Sequence, residues 1–384
     1  MNVDAIDVII PVYKNLGLTQ RCLESVLRAN DPAMGDLYLI NDASPEHALA
    51  DYCHEVAAEG RVILIEHSEN LGFVRSVNEG FERAQERDVV ILNSDTEVPP
   101  RWLSRLRQLA QQHPGAASIT PFSNNATICS YPHFCEDNDL PEGLGFADLD
   151  AFFEKTNAGV AIEIPTGVGF CMFLRRDALS QVGFFDHEAF GRGYGEENDW
   201  CLRATATGWQ HYLAAGLFVY HAGGASFGGD AEVHQNNALT VIRERYPHYE
   251  KDIAAFIQAD PIEGSRHAVD LVRSDVHAVI KEYQRRERLT KDSLHALDRD
   301  RHEQVVALQG LLNTTRQTAK EEGERYQALL SSQRAETAAA ESQYQTQLES
   351  MAAEYQAVSN ELSQLNRFWP VRARNWVLRR LGRL

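Results

Sequence analysis

The chain has 384 residues, 43% of them hydrophobic and 24% charged, with a formal net charge of −18. That length accommodates a substantial core and a second domain, and the acidic balance argues against a general nucleic-acid binder. Six cysteines (Cys22, Cys53, Cys129, Cys135, Cys171 and Cys201) form no CxxC pair and no metal-finger spacing, so reduced, buried thiols in a cytosolic compartment are expected.

The start, Met1-Asn2-Val3-Asp4, carries an acid and no basic segment, so no signal peptide is expected. No apolar run is long enough to span a membrane, which takes about 18 residues or more. Ile6 to Val12 reads as a strand, followed by a helical pattern through Leu18, Cys22, Leu23, Val26 and Leu27. Asp36 to Ile40 is a second strand ending in Asn41-Asp42-Ala43-Ser44-Pro45, with a helix to about Glu59. Arg61 to Ile65 is a third, then Glu69-Asn70-Leu71-Gly72-Phe73 opens a helix past Val77 and Phe81. Val89 to Leu92 and Ala116 to Thr120 supply the fourth and fifth strands around another helix. Such alternation predicts βαβ units, an α/β fold and a mostly parallel sheet.

Val89 to Leu92 runs into Asn93-Ser94-Asp95-Thr96. In a parallel sheet the carboxyl end of a strand opens into the ligand crevice. Amide and carboxylate oxygens at i and i+2 suit a hard divalent cation carrying a diphosphate; the same residues also read as a capped strand end near Pro100. Tyr13, Asp42, Asn70 and Asp95 all follow strand ends, and together they outline a crevice for a nucleotide. Neither a GxGxxG nor a GxxxxGK[ST] pattern follows any strand, against dinucleotide enzymes and P-loop kinases.

Residues 121–165, with Pro121, Pro132, Pro141, Gly143 and Gly145, predict an irregular segment over the sheet, of the kind used as a lid or binding loop. Pro165 to Leu174 reads as a strand with small residues. Gly191-Arg192-Gly193-Tyr194-Gly195 then precedes Glu196-Glu197-Asn198-Asp199-Trp200-Cys201-Leu202-Arg203. Acids in a first helical turn suit the dipole, and carboxylates on a Gly-rich loop also suit a general base. His221 ends a strand among glycines; alone it reads as structural as readily as a ligand.

From about Ser265 to Leu365 there is no proline, and Tyr326, Leu330, Gln333, Thr337, Ala340, Tyr344, Gln347 and Met351 alternate at 4 and 3 spacing. That is a weak coiled-coil register that would pair copies of the chain, or a solvated helix. Arg367 to Leu384 carries six arginines and no acid, interleaved with Phe368, Trp369, Trp376 and aliphatics. This predicts a basic amphipathic helix for an anionic membrane surface, with a partner-protein or nucleic-acid helix as the alternative. The expected domains are 1–260, 265–365 and 366–384.

Taken in order, Ile9-Ile10-Pro11-Val12-Tyr13, Asn41-Asp42-Ala43-Ser44, Glu69-Asn70-Leu71-Gly72-Phe73 with Asn78-Glu79-Gly80, Leu92-Asn93-Ser94-Asp95-Thr96 and Glu196 to Arg203 resemble family 2 glycosyltransferases with the GT-A fold. The nearest look-alikes are rhamnosyltransferase-like members that build bacterial surface polysaccharides, and the resemblance covers roughly residues 5–250. It implies that Pro11, Val12 and Tyr13 line the base pocket, that Asp42 holds the base or ribose, and that Asn70, Gly72, Arg75 and Ser94 lie on the donor side. Asp95 would close a DxD motif whose first position is Asn93, and His221 would be a second ligand to Mn²⁺ or Mg²⁺. The family's Glu-Asp pair matches Glu196-Glu197, making Glu197 the candidate base and Asp199 its rival; Gly169, Tyr194, Glu196 and Trp200 would face the acceptor.

The implied activity is inverting, metal-dependent transfer from a dTDP- or UDP-sugar to a glycan or lipid-linked acceptor, at the inner face of the cytoplasmic membrane and without nucleic acid. A non-catalytic nucleotide-sugar-binding or coiled-coil scaffold protein is the alternative, and a nucleotidyltransferase a third.

Overall fold

A computed structural model describes residues 5–223, 231–273 and 323–368, with short pieces between 285 and 304. The first four strands are β1 (Ile6–Val12), β2 (Met34–Asn41), β3 (Ile63–Glu66) and β4 (Asp88–Leu92). Between them run α1 (Leu16–Ala29), α2 (His47–Ala58) and α3 (Phe73–Ala84). All neighbouring pairs among these strands are parallel, as crossover helices require.

Strand alternation explains how the sheet is covered on both faces. Val8, Ile10 and Val12 pack with Leu23 and Val26 of α1 and Leu49 of α2. Ile9, between them, packs with Val74, Val77 and Phe81 of α3 on the other face. Each such side chain contributes about 1.5–3 kcal/mol on burial. Gly80 lets α3 approach that closely, because a Cβ there would sit 2.6 Å from Ile9 Cγ2.

The second half continues with β5 (Thr96–Glu97), α4 (Trp102–Gln112), β6 (Ala116–Phe122), α5 (Phe146–Asn157), β7 (Ala161–Ile164) and β8 (Cys171–Leu174). There follow α6 (Arg176–Val182), α7 (His187–Phe190), α8 (Glu196–Ala206), β9 (Gln210–Phe218) and β10 (Tyr220–His221). The eight-stranded sheet runs β3-β2-β1-β4-β8-β6-β9-β7, with a separate two-stranded β10-β5 ladder. β8 wedges antiparallel between β4 and β6, β9 lies parallel to β6, and β7 closes the edge antiparallel.

Three sequence expectations change. The strand expected over Pro165 to Leu174 is confined to Cys171–Leu174. Residues 121–165 are more regular than expected and contain α5 and β7. The reason is apolar: Phe153 stacks on Phe218 at 5.3 Å and meets Tyr131 edge-on at 5.0 Å. The first compact unit runs to Arg273 rather than 260. After α9 (Ala231–Arg245) and α10 (Tyr249–Ala259), helix α11 (Glu263–Val272) docks on α5. There Asn157 Nδ2 donates to Ser265 O, and Tyr131 O–H to Asp270 Oδ1.

The second unit contains α12 (Gly323–Phe368), 46 residues long. The register residues Tyr344 and Met351 are 43% and 54% exposed. The amphipathic helix expected at the carboxyl end lies outside the described residues beyond Phe368. Among the described residues no helix is long and apolar enough to cross a membrane. All six cysteines are free thiols, and only Cys135 is exposed.

Candidate active site

The end of β4 turns sharply. Asn93 N–H donates to Phe170 O at 2.8 Å, and Thr96 Oγ1 donates back to Asn93 O at 2.7 Å. That turn buries Asp95, 4% exposed, under the β10-β5 ladder. The ladder sets His221 opposite Thr96, and Ala222 N–H donates to Asp95 O at 3.0 Å. His221 Nε2 thereby comes 3.3 Å from Asp95 Oδ1. The Phe170 ring stacks on the imidazole at 5.2 Å and 19°.

The donor chemistry of this pair fits a divalent cation. His221 Nδ1 lies 2.6 Å from Asn125 O. A carbonyl only accepts, so Nδ1 carries hydrogen and the neutral ring turns its Nε2 lone pair toward Asp95. Asp95 Oδ1 has no hydrogen-bond donor. Two acceptors facing each other at 3.3 Å call for a positive charge between or beside them. Without metal a proton answers: burial pulls the imidazole down, but the hydrogen bond and charge of Asp95 outweigh it and hold His221 above its usual value. Among the described residues no third His, Cys, Asp or Glu joins the pair. Two protein ligands suit an ion that shares its shell with phosphate and water.

On the expected donor side, Asp42 Oδ1 accepts from Leu71 N–H at 2.7 Å and Oδ2 from Gly72 N–H at 2.8 Å. His67 Nδ1 reaches the same carboxylate at 2.7 Å, and its Nε2 reaches Glu79 Oε2 at 3.0 Å. Asp42 thus clamps the 70–72 loop onto β2. Pro11 and Val12 lie in register with Ile40 and Asn41, with Tyr13 just beyond them and Lys14 Nζ 5.1 Å over its ring. Ser94 is buried beside Asp95, and Arg75 is exposed on α3. Gly72 has φ +86 and lies so close to Arg192 that a Cβ would sit 2.8 Å from the Arg192 Cα. Phe73 N–H donates to Arg192 O at 3.1 Å. The 70–72 loop and the glycine loop ahead of the acids are therefore in direct contact.

Gly195, at φ +82, starts α8 in the left-handed region glycine tolerates, and Tyr194 shares that region at φ +72. Glu196 is 4% exposed and its Oε2 has no partner. Glu197 lies beside the loop before β8, its Cγ 4.0 Å from where a Gly169 Cβ would be. Burial lifts both carboxyls above the usual range, and the Glu197 charge lifts Glu196 further. The backbone N–H groups of Glu197 and Gly195 pull Glu197 back only in part.

Asp199 is placed differently. Its Oδ2 accepts from Arg203 Nε at 2.8 Å, and its Oδ1 from Arg245 Nη1 and Tyr246 O–H, each at 2.8 Å. Oδ2 is committed within α8 and Oδ1 ties α8 to the end of α9. Trp200, expected on the acceptor side, is instead fully buried, with Nε1–H donating to Gly183 O at 2.8 Å. It supports α8 from beneath, edge-on to Phe185 and His211. Tyr249 was not singled out in the sequence. Burial, with the Glu197 charge adding, pushes its hydroxyl up to about 12, and the neighbouring Thr166 side chain pulls it back only in part. His67, Phe170 and Asn125 also escaped the motif reading, since each acts through a fold contact that no local pattern encodes.

Three buried side-chain oxygens among the described residues lack a hydrogen-bond partner: Asn70 Oδ1, Asp95 Oδ1 and Glu196 Oε2. Each such group costs about 1–3 kcal/mol unless something answers it, and all three fall in the expected site. The mostly parallel sheet with helices on both faces is a GT-A-like glycosyltransferase fold, and a strand-end carboxylate, a facing histidine and the Glu196-Glu197 pair fall in its expected site. Residues 7–183 match the model of Glycosyl transferase family 2. The chain is 25% identical over 255 residues to an N-acetylglucosaminyl-diphospho-decaprenol L-rhamnosyltransferase known from two strains of Mycobacterium tuberculosis. That match covers 60% of this chain and 80% of the relative. A crystal structure of GalNAc-T7 with UDP, GalNAc and Mn²⁺ aligns with TM-score 0.47 and 15% identity, covering 62% of this chain and 48% of that one.

Proposed function

We propose that this glycosyltransferase is metal-dependent and inverting. It would move a deoxyhexose of the rhamnose kind from a nucleoside-diphosphate donor to a lipid-linked diphospho-sugar. The observation that carries the metal is the facing of buried Asp95 Oδ1 and His221 Nε2 at 3.3 Å, with Nδ1 already committed to Asn125 O. The rhamnosyl donor and lipid-linked acceptor are taken from the name of the mycobacterial relative.

Asp95 and His221 would hold Mn²⁺ or Mg²⁺; carboxylate with imidazole suits either, and the neighbouring Cys22 thiol, pushed up to about 12 mainly by burial, stays protonated. When bound, the ion supplies charge that offsets the leaving diphosphate. Pro11, Val12 and Tyr13 would hold the base, and Asn70 Oδ1 and Ser94 would bond the sugar or ribose. Glu197, kept protonatable by burial, would take the proton of the acceptor hydroxyl, an effect of about 10²–10⁴-fold. Glu196 would orient that hydroxyl. One base and no protein nucleophile gives a single displacement at the anomeric carbon, hence inversion.

Assay of the purified chain with Mn²⁺, a lipid-diphospho-N-acetylglucosamine analogue and a panel of dTDP- and UDP-sugars decides the reading. Transfer from one donor, abolished by chelator, is expected. Nucleotide binding without turnover on any donor would favour the non-catalytic alternative. Placement at the inner membrane face through the carboxyl-terminal basic segment belongs to the same proposal.

A further inference from the structure

We infer that Asn124, Asn125 and Asn138 form a clamp that positions His221, fixing its ring as the Nδ1–H tautomer with Nε2 directed at Asp95. The purpose of the clamp rests on the metal reading above; the clamp's geometry does not.

Asn124 is 2% exposed and Asn138 8%. The Asn124 carboxamide pairs with both backbone groups of His221: Oδ1 accepts from His221 N–H at 2.9 Å, and Nδ2 donates to His221 O at 2.8 Å. One side chain thus does what a neighbouring strand would do. The carbonyls on one side and the N–H on the other leave no choice of amide orientation. Asn124 Nδ2 also donates to Asn138 O at 3.1 Å.

Asn125 adds the imidazole lock through its backbone carbonyl, 2.6 Å from Nδ1. Its side-chain Nδ2 donates to His221 O at 3.0 Å and Ala222 O at 3.3 Å, while Oδ1 accepts from Asn138 N–H at 2.9 Å. Asn138 closes the ring by donating from Nδ2 to Asn124 O at 3.1 Å and to His133 O and Glu136 O. Gly223, at φ +69, leaves room for this: a Cβ there would sit 2.9 Å from Asn125 Nδ2. The segment after β6, which the sequence suggested as a lid, is in this part a collar around a metal ligand. Outer partners that fix a histidine tautomer typically change metal affinity about 10–100-fold when removed.

The test uses the full chain and two readouts, neither of them turnover. In mildly alkaline, metal-free solution, ¹⁵N NMR of the imidazole, assigned with His221→Gln, should show hydrogen on Nδ1 and none on Nε2. Mn²⁺ titration followed by electron paramagnetic resonance, with UDP and separately dTDP present, should give about 10–100-fold weaker binding in Asn124→Asp, whose carboxylate would face the His221 carbonyl. Asn125→Ser keeps the backbone lock and should weaken binding only a few-fold; it serves if Asn124→Asp does not fold. A wild-type Nε2–H tautomer, or Asn variants with unchanged tautomer and Mn²⁺ affinity, would overturn the clamp. Unchanged Mn²⁺ binding in Asp95→Ala would instead sink the metal reading, and the tautomer would still judge the clamp.

Discussion

Asp95 Oδ1 and His221 Nε2 stand 3.3 Å apart at one end of a two-stranded ladder that pairs His221 with Thr96. The carboxylate comes from the end of β4 and the imidazole from the strand after β9, so the pair exists only in the folded chain. Asp95→Ala would remove one of the two proposed metal ligands and, with its Oδ1 donorless, break little that supports the fold. Mn²⁺-dependent nucleotide affinity should fall at least tenfold, with the melting temperature nearly unchanged. Calorimetric titration of nucleotide with and without Mn²⁺ checks it, and unchanged affinity would remove Asp95 from the metal site.

Glu197 and Asp199 separate by what replacing each should damage. Glu197→Gln keeps size and polarity but cannot take a proton, so turnover should drop by about 10²–10⁴-fold with nucleotide affinity within a few-fold. Because burial raises the Glu197 carboxyl, the acid limb of the wild-type rate profile should fall above the ordinary range of a carboxylate. Asp199→Asn leaves Arg203 and Arg245 short of a counter-charge. Its cost should be stability, on the order of 2 kcal/mol, tempered because Arg245 is partly in water. Full activity in Glu197→Gln with loss in a folded Asp199→Asn would reverse the roles.

Glu196 gives a prediction with a definite sign. Its carboxyl is raised in the folded chain, mainly by burial. The protonated form therefore contributes stability that is complete below the unfolded value of about 4.5 and is lost as pH rises through the folded value. Glu196→Gln mimics the protonated form. At neutral pH it should be more stable by about 1 kcal/mol, roughly 2–4 °C in a unit of this size. The gain should shrink as pH falls toward 4. Melting curves across that range measure it, and a gain that grew on acidification would contradict the burial argument.

What could be read in the sequence was whatever a local pattern encodes. The runs Ile6 to Val12 and Val89 to Leu92 declared buried strands, and polar residues at their ends marked the expected site. Pairings between distant segments were not legible. Nothing near Trp200 signals that its indole is held by Gly183, and nothing near Asp199 announces Arg245 and Tyr246. Both residues sit in an acid-rich motif, and helix periodicity turns them inward while Glu197 stays at the loop. The prolines and glycines of 121–165 drew attention from Leu149 and Phe153, whose burial makes α5.

The last prediction concerns Arg367 to Leu384, whose six arginines, two tryptophans and aliphatics are unaccompanied by any acid. Each arginine near an anionic surface contributes about 1 kcal/mol, and the apolar side chains add roughly 25 cal/mol per Å² buried. Their sum outweighs the repulsion between an anionic surface and a chain of net charge −18, because repulsion from distant charges is screened within about 10 Å at ordinary salt. Deleting these residues should abolish co-sedimentation with phosphatidylserine-containing vesicles and leave transfer to a water-soluble acceptor analogue intact. The expected site lies wholly within the unit that ends at Arg273, so its chemistry does not depend on the deleted segment. Raising salt should weaken full-length binding only in part, since the apolar component is unscreened. Equal sedimentation of truncated and full-length chains would mean that the segment serves a protein partner instead.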